Sequence, residues 1–411
     1  MSMQEVTPVL QDVYDPASQE YCENPAPQCQ ALYNSGRFVY YEPWGAWCMT
    51  QLDDIMQCWK EEYLSSDFYD WEFAPPRPPE ADWTNFERCM IGHSLLADHD
   101  HHLLIRKIAA PAFSRNVVDE IQRRIEPDIK QLFDDLGKPD VFDYKSEVAQ
   151  HIPFISITRL IGVPEKYWDA IRPVVRNFTD TWNPTLSDEV RESARQECNI
   201  AVDIFKEMLA ERRAAPQQDD VLSILLKAEE ENEDFDEWDI LTLILALIGA
   251  GSDTTFTFQQ WTVYSLLKHK EQIATAMASH DAFANAFSEV SRWGVISKMG
   301  FARYAPRDME VCGQQVKRGQ MILMMPHLYE HDPKYFPEPQ KFDVTRTFEP
   351  DIRFGYGPRF CIGAALAKRQ MYLTVSELMN RFPNAELDSE PERLANETSI
   401  AFKNLMVRTN V

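Results

Sequence analysis

The segment that most restricts the fold is Phe354–Gly363, which reads F-G-Y-G-P-R-F-C-I-G. Its glycines and its proline require a tight loop, and a helical pattern follows directly. The loop places Cys361 at or near the N-terminus of that helix, where backbone N–H groups and the helix dipole favour a thiolate. Gly363 leaves room for a flat group to lie against the helix. Such a thiolate is a nucleophile or a metal ligand, and the remaining alternative is a buried, inert thiol.

Most of the other patterns are helical. Apolar residues recur at three- and four-residue spacing, which predicts helices at 97–110, 117–136, 193–213, 236–269, 281–293 and 362–380. Short apolar runs at 309–312 and 321–325 indicate small β elements. Residues 331–359 show little periodicity, and such a segment costs backbone entropy unless it wraps something. The predicted fold class is mainly α, with small sheets and a long ordered meander before the Cys361 loop.

Charge and cysteine usage exclude several classes of protein. Forty-one Lys and Arg residues against 65 Asp and Glu residues give a formal net charge of −24. Coulomb repulsion therefore opposes binding of nucleic acid or of an anionic membrane over the general surface. The eight cysteines form no CxxC pair, which is typical of a reduced, cytoplasmic setting. The first ten residues show no signal-peptide pattern, and no long uninterrupted apolar run predicts a membrane span.

A motif of small residues interrupts the apolar pattern of the 236–269 helix. It reads Ala250-Gly251-Ser252-Asp253-Thr254-Thr255. Gly inside a helix costs about 1 kcal/mol relative to Ala, so its presence needs a reason. Ala250 and Gly251 let the helix open and a ligand approach, while Thr254 hydrogen-bonds a freed carbonyl or that ligand. Asp253 then connects the alcohol to solvent as a proton source. The alternative is a helix kink with a solvated Asp253 and a back-bonding Thr254.

Three histidines fall within four residues of one predicted helix. His102 and Arg106 stand at i and i+4, so they share a helix face and can bind a carboxylate together. A zinc site is the alternative, although no H-x3-H spacing or compact second ligand group accompanies these histidines. We interpret His99 and His101 as solvated or loop residues.

The ten-residue loop matches in full the haem-binding loop of the cytochrome P450 superfamily, and the chain resembles that family from about residue 85 to 411. The resemblance implies that Cys361 is the axial thiolate ligand of the iron of haem b, with Phe354, Gly355 and Gly363 in the loop around the cofactor. A thiolate ligand donates electron density that favours O–O cleavage. It also implies a cytochrome P450 fold of the soluble bacterial type, as one haem domain over residues 1–411.

Further family motifs follow in the expected order. The 250–255 motif is similar to the family's oxygen-activation motif, which implies catalytic roles for Asp253 and Thr254. The same similarity implies that Ala250 and Gly251 lie beside the cofactor. Cationic side chains are implied as the partners of the haem propionates, namely His102, Arg106, Arg303 and Arg359.

One charged pair is connected with the meander, and two residues in this part of the chain differ from the family's usual pattern. Glu289 and Arg292 stand at i and i+3, which by spacing alone is typical of a surface ion pair. In the family this pair is buried and ties its helix to the meander, which residues 331–346 resemble. The family commonly has Arg where Lys341 stands, so the third member of this charge network is open. Many bacterial relatives have His where Asp351 stands.

The resemblance also implies a substrate pocket and electron partners. Four segments would surround the distal pocket, namely 70–98, 172–190, 247–250 and 295–300. The first is rich in Trp and Pro, with Arg77 as a candidate anchor, and suits an aromatic, terpenoid or steroid-like compound or a methoxylated sugar. We expect electrons from a separate ferredoxin and ferredoxin reductase. Ferredoxins are acidic, so they would dock on a basic patch of Lys107, Arg115, Arg353, Lys368 and Arg369.

Three functions compete at this point. The first is a monooxygenase that uses dioxygen to hydroxylate a C–H bond or to O-demethylate a small to medium organic substrate. The second is a peroxide-driven peroxygenase, against which the Asp253–Thr254 pair argues. The third is a haem-binding sensor or carrier without turnover. Coupled NAD(P)H consumption with added ferredoxin and reductase separates the first function from the other two.

Overall fold

The structure describes most of the chain and divides it into two units. It is a computed structural model that describes residues 9–60, 63–93, 99–173, 187–216, 218, 220–298, 300–395 and 399–409. The first unit consists of residues 1–77, 271–361 and 392–403. The second unit consists of residues 78–270, 362–391 and 404–411. Both units are therefore discontinuous in sequence.

Helices dominate the described residues. The α-helices are α1 (Gln19–Glu23), α2 (Ala26–Ser35), α3 (Leu52–Lys60), α4 (Asn85–Glu87), α5 (His99–Ala109), α6 (Arg115–Leu136), α7 (Ile152–Ile161), α8 (Trp168–Ile171), α9 (Asp188–Arg213), α10 (Val221–Glu231), α11 (Glu237–Lys268), α12 (Ile273–Ala276), α13 (His280–Gly294), α14 (Pro326–Tyr329) and α15 (Ala364–Arg381). The strands are β1 (Phe38–Tyr41), β2 (Ala46–Met49), β3 (Val141–Asp143), β4 (Phe301–Tyr304), β5 (Met309–Val311), β6 (Gln314–Val316), β7 (Met321–Met324), β8 (Glu386–Leu387), β9 (Arg393–Ala395), β10 (Ile400–Phe402) and β11 (Met406–Arg408). The predicted fold class, mainly α with small sheets, is confirmed.

A four-stranded sheet organises the first unit. Its strand order is β1-β2-β7-β4, with β2 and β7 parallel and the other pairs antiparallel. Every residue of the inner strands β2 and β7 is buried, which explains their apolar sequences. Trp47 and Arg303 both stand opposite Ile322. The outer strand β4 therefore holds Arg303 in a fixed register.

The core of the first unit joins the sheet to α3 and to the meander. α3 is amphipathic and buries Ile55 and Trp59 on one face. The same cluster contains Ile322 from β7, and Phe336 and Ile352 from the irregular segment after residue 331. Burial of these two side chains offsets the backbone entropy that an irregular segment costs. The meander is thus ordered, as its sequence predicted.

The long helix α11 runs through the second unit. Asp236 caps its N-terminus, and Asp236 and Asp239 form a capping box by accepting each other's backbone N–H groups. By length and composition α11 is the one helix of the described residues that is long and apolar enough to cross a membrane. However, 72% of its most apolar window is buried inside the protein, which is typical of a core helix.

A three-stranded antiparallel sheet and paired helices complete the second unit. The strand order is β3-β11-β8, and Val407 of β11 stands opposite both Phe142 and Leu387. α15 lies along α6, and Arg369 of α15 forms an ion pair with Asp119 of α6 at 2.7 Å. Helix α6 therefore supports the helix that follows the Cys361 loop in sequence.

The predicted elements match the observed ones best where the pattern is long. The six predicted helices correspond to α5, α6, α9, α11, α13 and α15, and the two predicted β runs correspond to β5 and β7. The start of the first predicted helix, 97–98, lies outside the described residues. Helices α7 and α10 and strands β1 and β2 were not predicted. The two strands have four residues each, too few to show a clear period of two.

Candidate functional site

The Cys361 loop is closed by its own backbone. The Cys361 N–H donates a hydrogen bond to the Phe354 carbonyl oxygen at 2.7 Å. Gly355 and Gly357 have φ values of +80° and +66°, a left-handed conformation that favours glycine. A Cβ atom on Gly355 would lie 3.1 Å from the Arg359 carbonyl oxygen. The glycines therefore permit a tight loop that larger residues would strain.

Phe354 fastens this loop to helix α13. Its ring stacks on the buried Phe287, with 5.8 Å between the ring centroids. The same ring lies 6.3 Å from the centroid of Phe360, which is 41% exposed. Aromatic pairs at such distances add to the stabilisation that burial alone provides. The loop is thereby positioned by the first unit.

Cys361 is the exposed cysteine of the eight. Cys312 is half-buried, and the other six are buried. Helix α15 begins at Ala364 with Gly363 as its N-cap, so Cys361 lies three residues before the first helical residue. A Cβ atom on Gly363 would meet nothing within 4 Å. The thiol is therefore accessible to a metal ion, and the alternative of a buried, inert thiol is wrong.

Arg303 and Arg359 bring two positive charges together in the first unit. Burial lowers the pKa of Arg303, whose Nη1 donates to the Ala302 carbonyl oxygen at 2.7 Å. Burial, and then the charge of Arg303, lower the pKa of Arg359 to about 10. Two desolvated like charges favour a bound anion between them. The exposed thiol and this pair fit the iron and the carboxylates of haem.

The Glu289–Arg292 pair is fully buried in the first unit. Arg292 Nε lies 2.7 Å from Glu289 Oε2, and Arg292 Nη2 lies 2.8 Å from Oε1. The guanidinium also donates to the carbonyl oxygen of Glu330, just before the meander, at 3.2 Å, and to those of Pro339 and Lys341 in the meander at 2.7 and 3.2 Å. The pair is therefore not the surface ion pair that spacing alone suggests. It ties α13 to the meander, as the resemblance implies.

Arg346 is the third charged member of this network. Its Nε lies 3.3 Å from Glu289 Oε1, and its side chain is 11% exposed. The Asp343 N–H donates to the same carboxylate oxygen at 2.9 Å. Lys341, at the position that the resemblance singled out, contributes its carbonyl oxygen instead. Sequence reasoning missed Arg346, although it is the last residue of the quoted meander segment.

Asp351 has a structural role of its own. Ser288 donates to Asp351 Oδ2 at 2.7 Å, and Arg353 Nη2 lies 2.9 Å from Asp351 Oδ1. Arg353 also pairs with Glu330 at 3.1 Å. Burial raises the pKa of Glu330 to about 7, although the Arg353 charge opposes this shift. An acidic residue at position 351 therefore serves to hold Arg353.

The predicted basic patch is smaller than its sequence suggests. The Arg353 side chain is 6% exposed and lies inside the first unit, so its assignment to the patch is wrong. Arg369 is bound to Asp119 within the second unit. Lys107 and Arg115 are exposed, and Lys368 is half-buried. Because Arg353 and Arg369 form ion pairs inside their units, two of the five cations predicted for the docking patch are already neutralised.

The 250–255 motif lies on α11 in the second unit. The exposed Thr254 donates from Oγ1 to the Ala250 carbonyl oxygen at 2.6 Å, and Asp253 is half-buried. A Cβ atom on Gly251 would lie 3.1 Å from Ile157 Cγ1 of α7. Gly251 therefore allows the close approach of α7 to α11. Thr254 thus hydrogen-bonds to the backbone of its own helix, and its side chain lies at the surface of the second unit.

The histidine segment forms the start of α5. His102 is buried and Arg106 half-buried, one helical turn apart. His101 Nε2 lies 2.7 Å from Oδ1 of the buried Asp239. His101 is therefore neither a solvated nor a loop residue, because it connects α5 to the start of α11. The sequence could not reveal this contact, since the two residues are 138 positions apart.

Three side chains that could bind a metal ion lie close to one another in this unit, but none of them belongs to residues 99–102. Ligand atoms of His93, Asp236 and Asp239 lie within 4.8 Å of one another. The Asp236 carboxylate accepts backbone N–H groups at 2.8 and 3.1 Å, and Asp239 Oδ2 accepts the Asp236 N–H at 2.9 Å. Capping of α11 explains the positions of both carboxylates. The zinc alternative for the 99–102 histidines thus gains nothing from this group.

The predicted pocket segments are described only in part. Residues 94–98, 174–186 and 299 lie outside the described residues, and they fall within three of the four segments. Arg77 forms an ion pair with Asp67, and its guanidinium lies 4.8 Å from the ring centroid of Tyr69. These contacts occupy Arg77 within the first unit.

Comparison with known proteins agrees with this arrangement. The family model of cytochrome P450 matches residues 60–409. Epothilone C/D epoxidase from Sorangium cellulosum is 27% identical over 386 residues, which cover 92% of this chain and 90% of that protein. 6-Deoxyerythronolide B hydroxylase from Saccharopolyspora erythraea is 27% identical over 374 residues, with 88% of each chain covered.

A solved structure extends the comparison to the fold. The crystal structure of epothilone D-bound cytochrome P450epoK superimposes with a TM-score of 0.87 at 25% identity. The match covers 97% of this chain and 99% of that chain. Family members bind haem b and act as oxidoreductases. Because the family model spans most of the sequence, the chain belongs to the cytochrome P450 family.

Proposed function

We propose that this protein is a haem-thiolate monooxygenase that activates dioxygen to hydroxylate a C–H bond or to O-demethylate a small to medium organic substrate. Cys361 would hold the iron of haem as its thiolate ligand. The observation that carries this proposal is the exposed Cys361 thiol on a loop closed by the Phe354 carbonyl. A buried thiol would not reach an iron ion, whereas this one has open space around the neighbouring Gly363.

Four side chains would hold the two carboxylates of haem, namely His102, Arg106, Arg303 and Arg359. Each guanidinium can donate two parallel, charge-assisted hydrogen bonds, and a neutral imidazole can donate one. Phe354 and Gly355 would keep the loop in shape, and Gly363 would leave space for the porphyrin face. When haem is bound through a thiolate, it supplies the redox chemistry that activates dioxygen.

Asp253 and Thr254 would deliver protons from the α11 motif, with the small residues Ala250 and Gly251 beside the cofactor. Thr254 Oγ1 donates its proton to the Ala250 carbonyl oxygen, and rotation of the side chain would free the hydroxyl group to donate that proton elsewhere. The half-buried Asp253 carboxyl group can exchange protons with water and pass them to the neighbouring hydroxyl. The side chains of this motif thus supply both the donor and its connection to solvent.

We propose a separate ferredoxin and ferredoxin reductase as the electron donors of a cytoplasmic enzyme with one haem domain over residues 1–411. The exposed Lys107 and Arg115 give a locally positive site for an acidic ferredoxin on a protein with a formal charge of −24. Turnover should then fall as salt increases, and Lys107→Glu should raise the ferredoxin concentration needed for half-maximal rate. If the turnover of the Lys107→Glu variant depends on salt as steeply as that of the wild type, this result would argue against docking at Lys107.

The substrate is best identified by a spectral screen. Binding of a substrate beside haem iron held by Cys361 would change the spin state of the iron, and this change would be visible in the absorbance spectrum. Two relatives are named for epothilone and 6-deoxyerythronolide B, so polyketides belong in the screen. Aromatic, terpenoid and steroid-like compounds and methoxylated sugars complete it. The first compound that shifts the spin state and is converted, with NAD(P)H consumption, identifies the class.

The test of the ligand is the spectrum of the ferrous–CO complex. We expect the strongly red-shifted Soret band that thiolate gives and imidazole does not. Cys361→His should lose this band while keeping haem, and Cys312→Ser, a matched change at a half-buried cysteine, should keep it. A thiolate spectrum in Cys361→Ser would contradict the assignment. Turnover with peroxide in the absence of electron partners would favour the peroxygenase. Binding of haem and of a compound without any turnover would favour a sensor or carrier.

A further inference from the structure

The second unit contains a cavity of about 520 Å³ where the ends of several helices meet. Its described lining comes from α6, from the end of α7 and the segment that follows, from the end of α9 and from the residues just before α10. A cavity of this size is typical of sites for small organic molecules. None of its described lining residues has a role in the proposed reaction, so the cavity has no function in that reaction.

Three arginine side chains from three helices line this cavity, namely Arg124, Arg159 and Arg212. Arg159 is held by α6, because its Nε and Nη2 atoms each lie 3.1 Å from an oxygen of the Asp128 carboxylate. Asp128 is not among the described residues that line the cavity. The ion pair therefore fixes the position of the Arg159 guanidinium without placing the Asp128 carboxylate in the cavity.

Arg212 is the most enclosed of these three arginines. Its side chain is 8% exposed, against 33% for Arg159 and 36% for Arg124. Its Nη2 atom donates to the Asp220 carboxylate and, at 2.9 Å, to Ser223 Oγ. Its Nε and Nη1 atoms have no hydrogen-bond partner among the described residues. A guanidinium that is buried beside a cavity and keeps unused N–H donors favours a bound anionic group.

The two carboxylates among the described lining residues leave these donors in excess. Asp220 is 5% exposed, and it already pairs with Arg212 and accepts the Ser223 N–H at 2.9 Å as the N-cap of α10. Glu165 lies 2.7 Å from Arg159 Nη1, and its side chain is 64% exposed, so water screens its charge. An anionic group in the cavity would therefore find N–H donors that no carboxylate of this lining occupies.

We propose that this cavity binds a small organic molecule that carries a single carboxylate group. Arg212 donates to the carboxylate through its unused N–H groups, and Val163 and Pro164 provide an apolar wall for the rest of the molecule. The described lining holds three guanidinium groups and two carboxylates, so it has an excess of one positive charge. One carboxylate balances that excess, whereas a phosphate dianion would leave a negative charge in the cavity.

The probe for this site is cinnamate, with cinnamyl alcohol as a neutral analogue of similar size. Calorimetric titration of the haem-loaded protein should show one Arg212-dependent cinnamate site per chain. The alcohol should bind there at least about tenfold more weakly, because it cannot form a charge-assisted hydrogen bond with the guanidinium. The haem absorbance spectrum, recorded in parallel, reports any binding of the probe beside the cofactor.

A double variant removes the site without leaving an unpaired buried charge. Arg212→Gln combined with Asp220→Asn neutralises both members of the ion pair, and Asn can still cap α10. We expect this protein to bind cinnamate at least about tenfold more weakly. The control is Arg213→Gln, since Arg213 pairs with Glu229 and Glu237 and is not among the described lining residues. It should bind cinnamate as the wild type does.

A second readout locates the probe without a variant. Amide exchange at residues 158–165 should become slower when cinnamate is added, because a bound molecule limits opening of the segment that lines the cavity. Equal affinity for cinnamate in the wild type and the double variant, or no binding at millimolar concentrations, would overturn the proposal. Tighter binding of inorganic phosphate than of cinnamate at this site would overturn the assignment to a carboxylate.

Discussion

At the residue scale, Arg303 and Arg359 are two cationic side chains whose burial favours a bound anion. Both have lowered pKa values from burial, and the Arg303 charge lowers that of Arg359 further. Arg303→Ala or Arg359→Ala should leave the Cys361–iron bond intact but weaken haem retention by about 2–4 kcal/mol per lost charge-assisted pair. His102→Ala should have a smaller effect, since a neutral imidazole donates one ordinary hydrogen bond. Transfer of haem to apomyoglobin measures the loss rate.

The control for this prediction is Arg307→Ala. Arg307 is exposed and lies four residues after Arg303 in the same segment. The substitution therefore removes an equal charge at a distance from the pair of Arg303 and Arg359. Its rate of haem loss should equal that of the wild type. If Arg303→Ala and Arg359→Ala also lose haem at the wild-type rate, these arginines do not bind the cofactor.

Thr254 is the residue whose hydroxyl we propose to organise a proton. Thr254→Ala should keep substrate binding and NAD(P)H use but divert electrons to hydrogen peroxide, because the organised donor is lost. Asp253→Asn should slow turnover by roughly 10²-fold if Asp253 is the main relay. Product and peroxide formed per NAD(P)H consumed are the quantities to measure.

The same helix offers a matched control for Thr254. Thr262 back-bonds in the same way, with Oγ1 donating to the Phe258 carbonyl oxygen at 2.7 Å, but it is buried. Thr262→Ala should leave the ratio of product to NAD(P)H unchanged. Unchanged coupling in Thr254→Ala as well would mean that this protein delivers protons by another route.

At the element scale, Arg292 is the link between α13 and the meander. Arg292→Ala would leave the Glu289 carboxylate buried without its partner and would remove the donors to the carbonyl oxygens of Glu330 and of two meander residues. We expect a loss of about 3–5 kcal/mol in the free energy of unfolding of the holoenzyme, measured with urea, together with lower haem content. Arg292→Lys should not restore stability, because one ammonium group cannot replace the guanidinium fork.

An exposed pair provides the comparison for Arg292. Lys130 pairs with Glu126 at i and i+4, with both side chains about half exposed. Lys130→Ala should therefore lower the free energy of unfolding far less than Arg292→Ala does. Equal effects of Arg292→Ala and Lys130→Ala would contradict the view that burial makes the first pair essential to the meander.

At the scale of the whole molecule, buried histidines couple stability to pH. Burial, and then the neighbouring His331, lower the pKa of His327 to about 3, and burial and the Arg292 charge lower that of His331 to about 4. Unfolded histidine titrates near pH 6.5, so the unfolded chain binds more protons between about pH 6.5 and 4. Stability should therefore fall as pH is lowered through that range. Glu330, with its pKa raised to about 7, acts in the opposite direction.

The substitution His331→Asn separates the contribution of His331 to the pH dependence of stability from the opposite contribution of Glu330. Neither ring nitrogen of His331 has a hydrogen-bond partner among the described residues, so the substitution loses no hydrogen bond. The slope of unfolding free energy against pH should decrease by up to about 1.4 kcal/mol per pH unit between pH 6 and 4.5, measured by urea unfolding at each pH. An unchanged slope would mean that His331 is protonated in the folded protein.

The sequence by itself determined the features that depend on neighbouring residues. The Cys361 loop needs glycines at positions 355 and 357 for its backbone, and these can be recognised without any distant contact. Long helices such as α6 and α11 follow from periodic apolar residues, because one helix face must be buried. The family resemblance rested on the same local segments.

Only the tertiary structure decided which charges meet. Arg346 rather than Lys341 completes the Glu289 network, Arg353 is buried against Asp351 rather than exposed, and His101 reaches Asp239 across 138 positions of sequence. Desolvation sets the energy of each of these contacts, and it depends on which elements pack around the charge. A single sequence specifies charges and spacings along the chain, but the burial that gives them their roles arises when distant segments pack together.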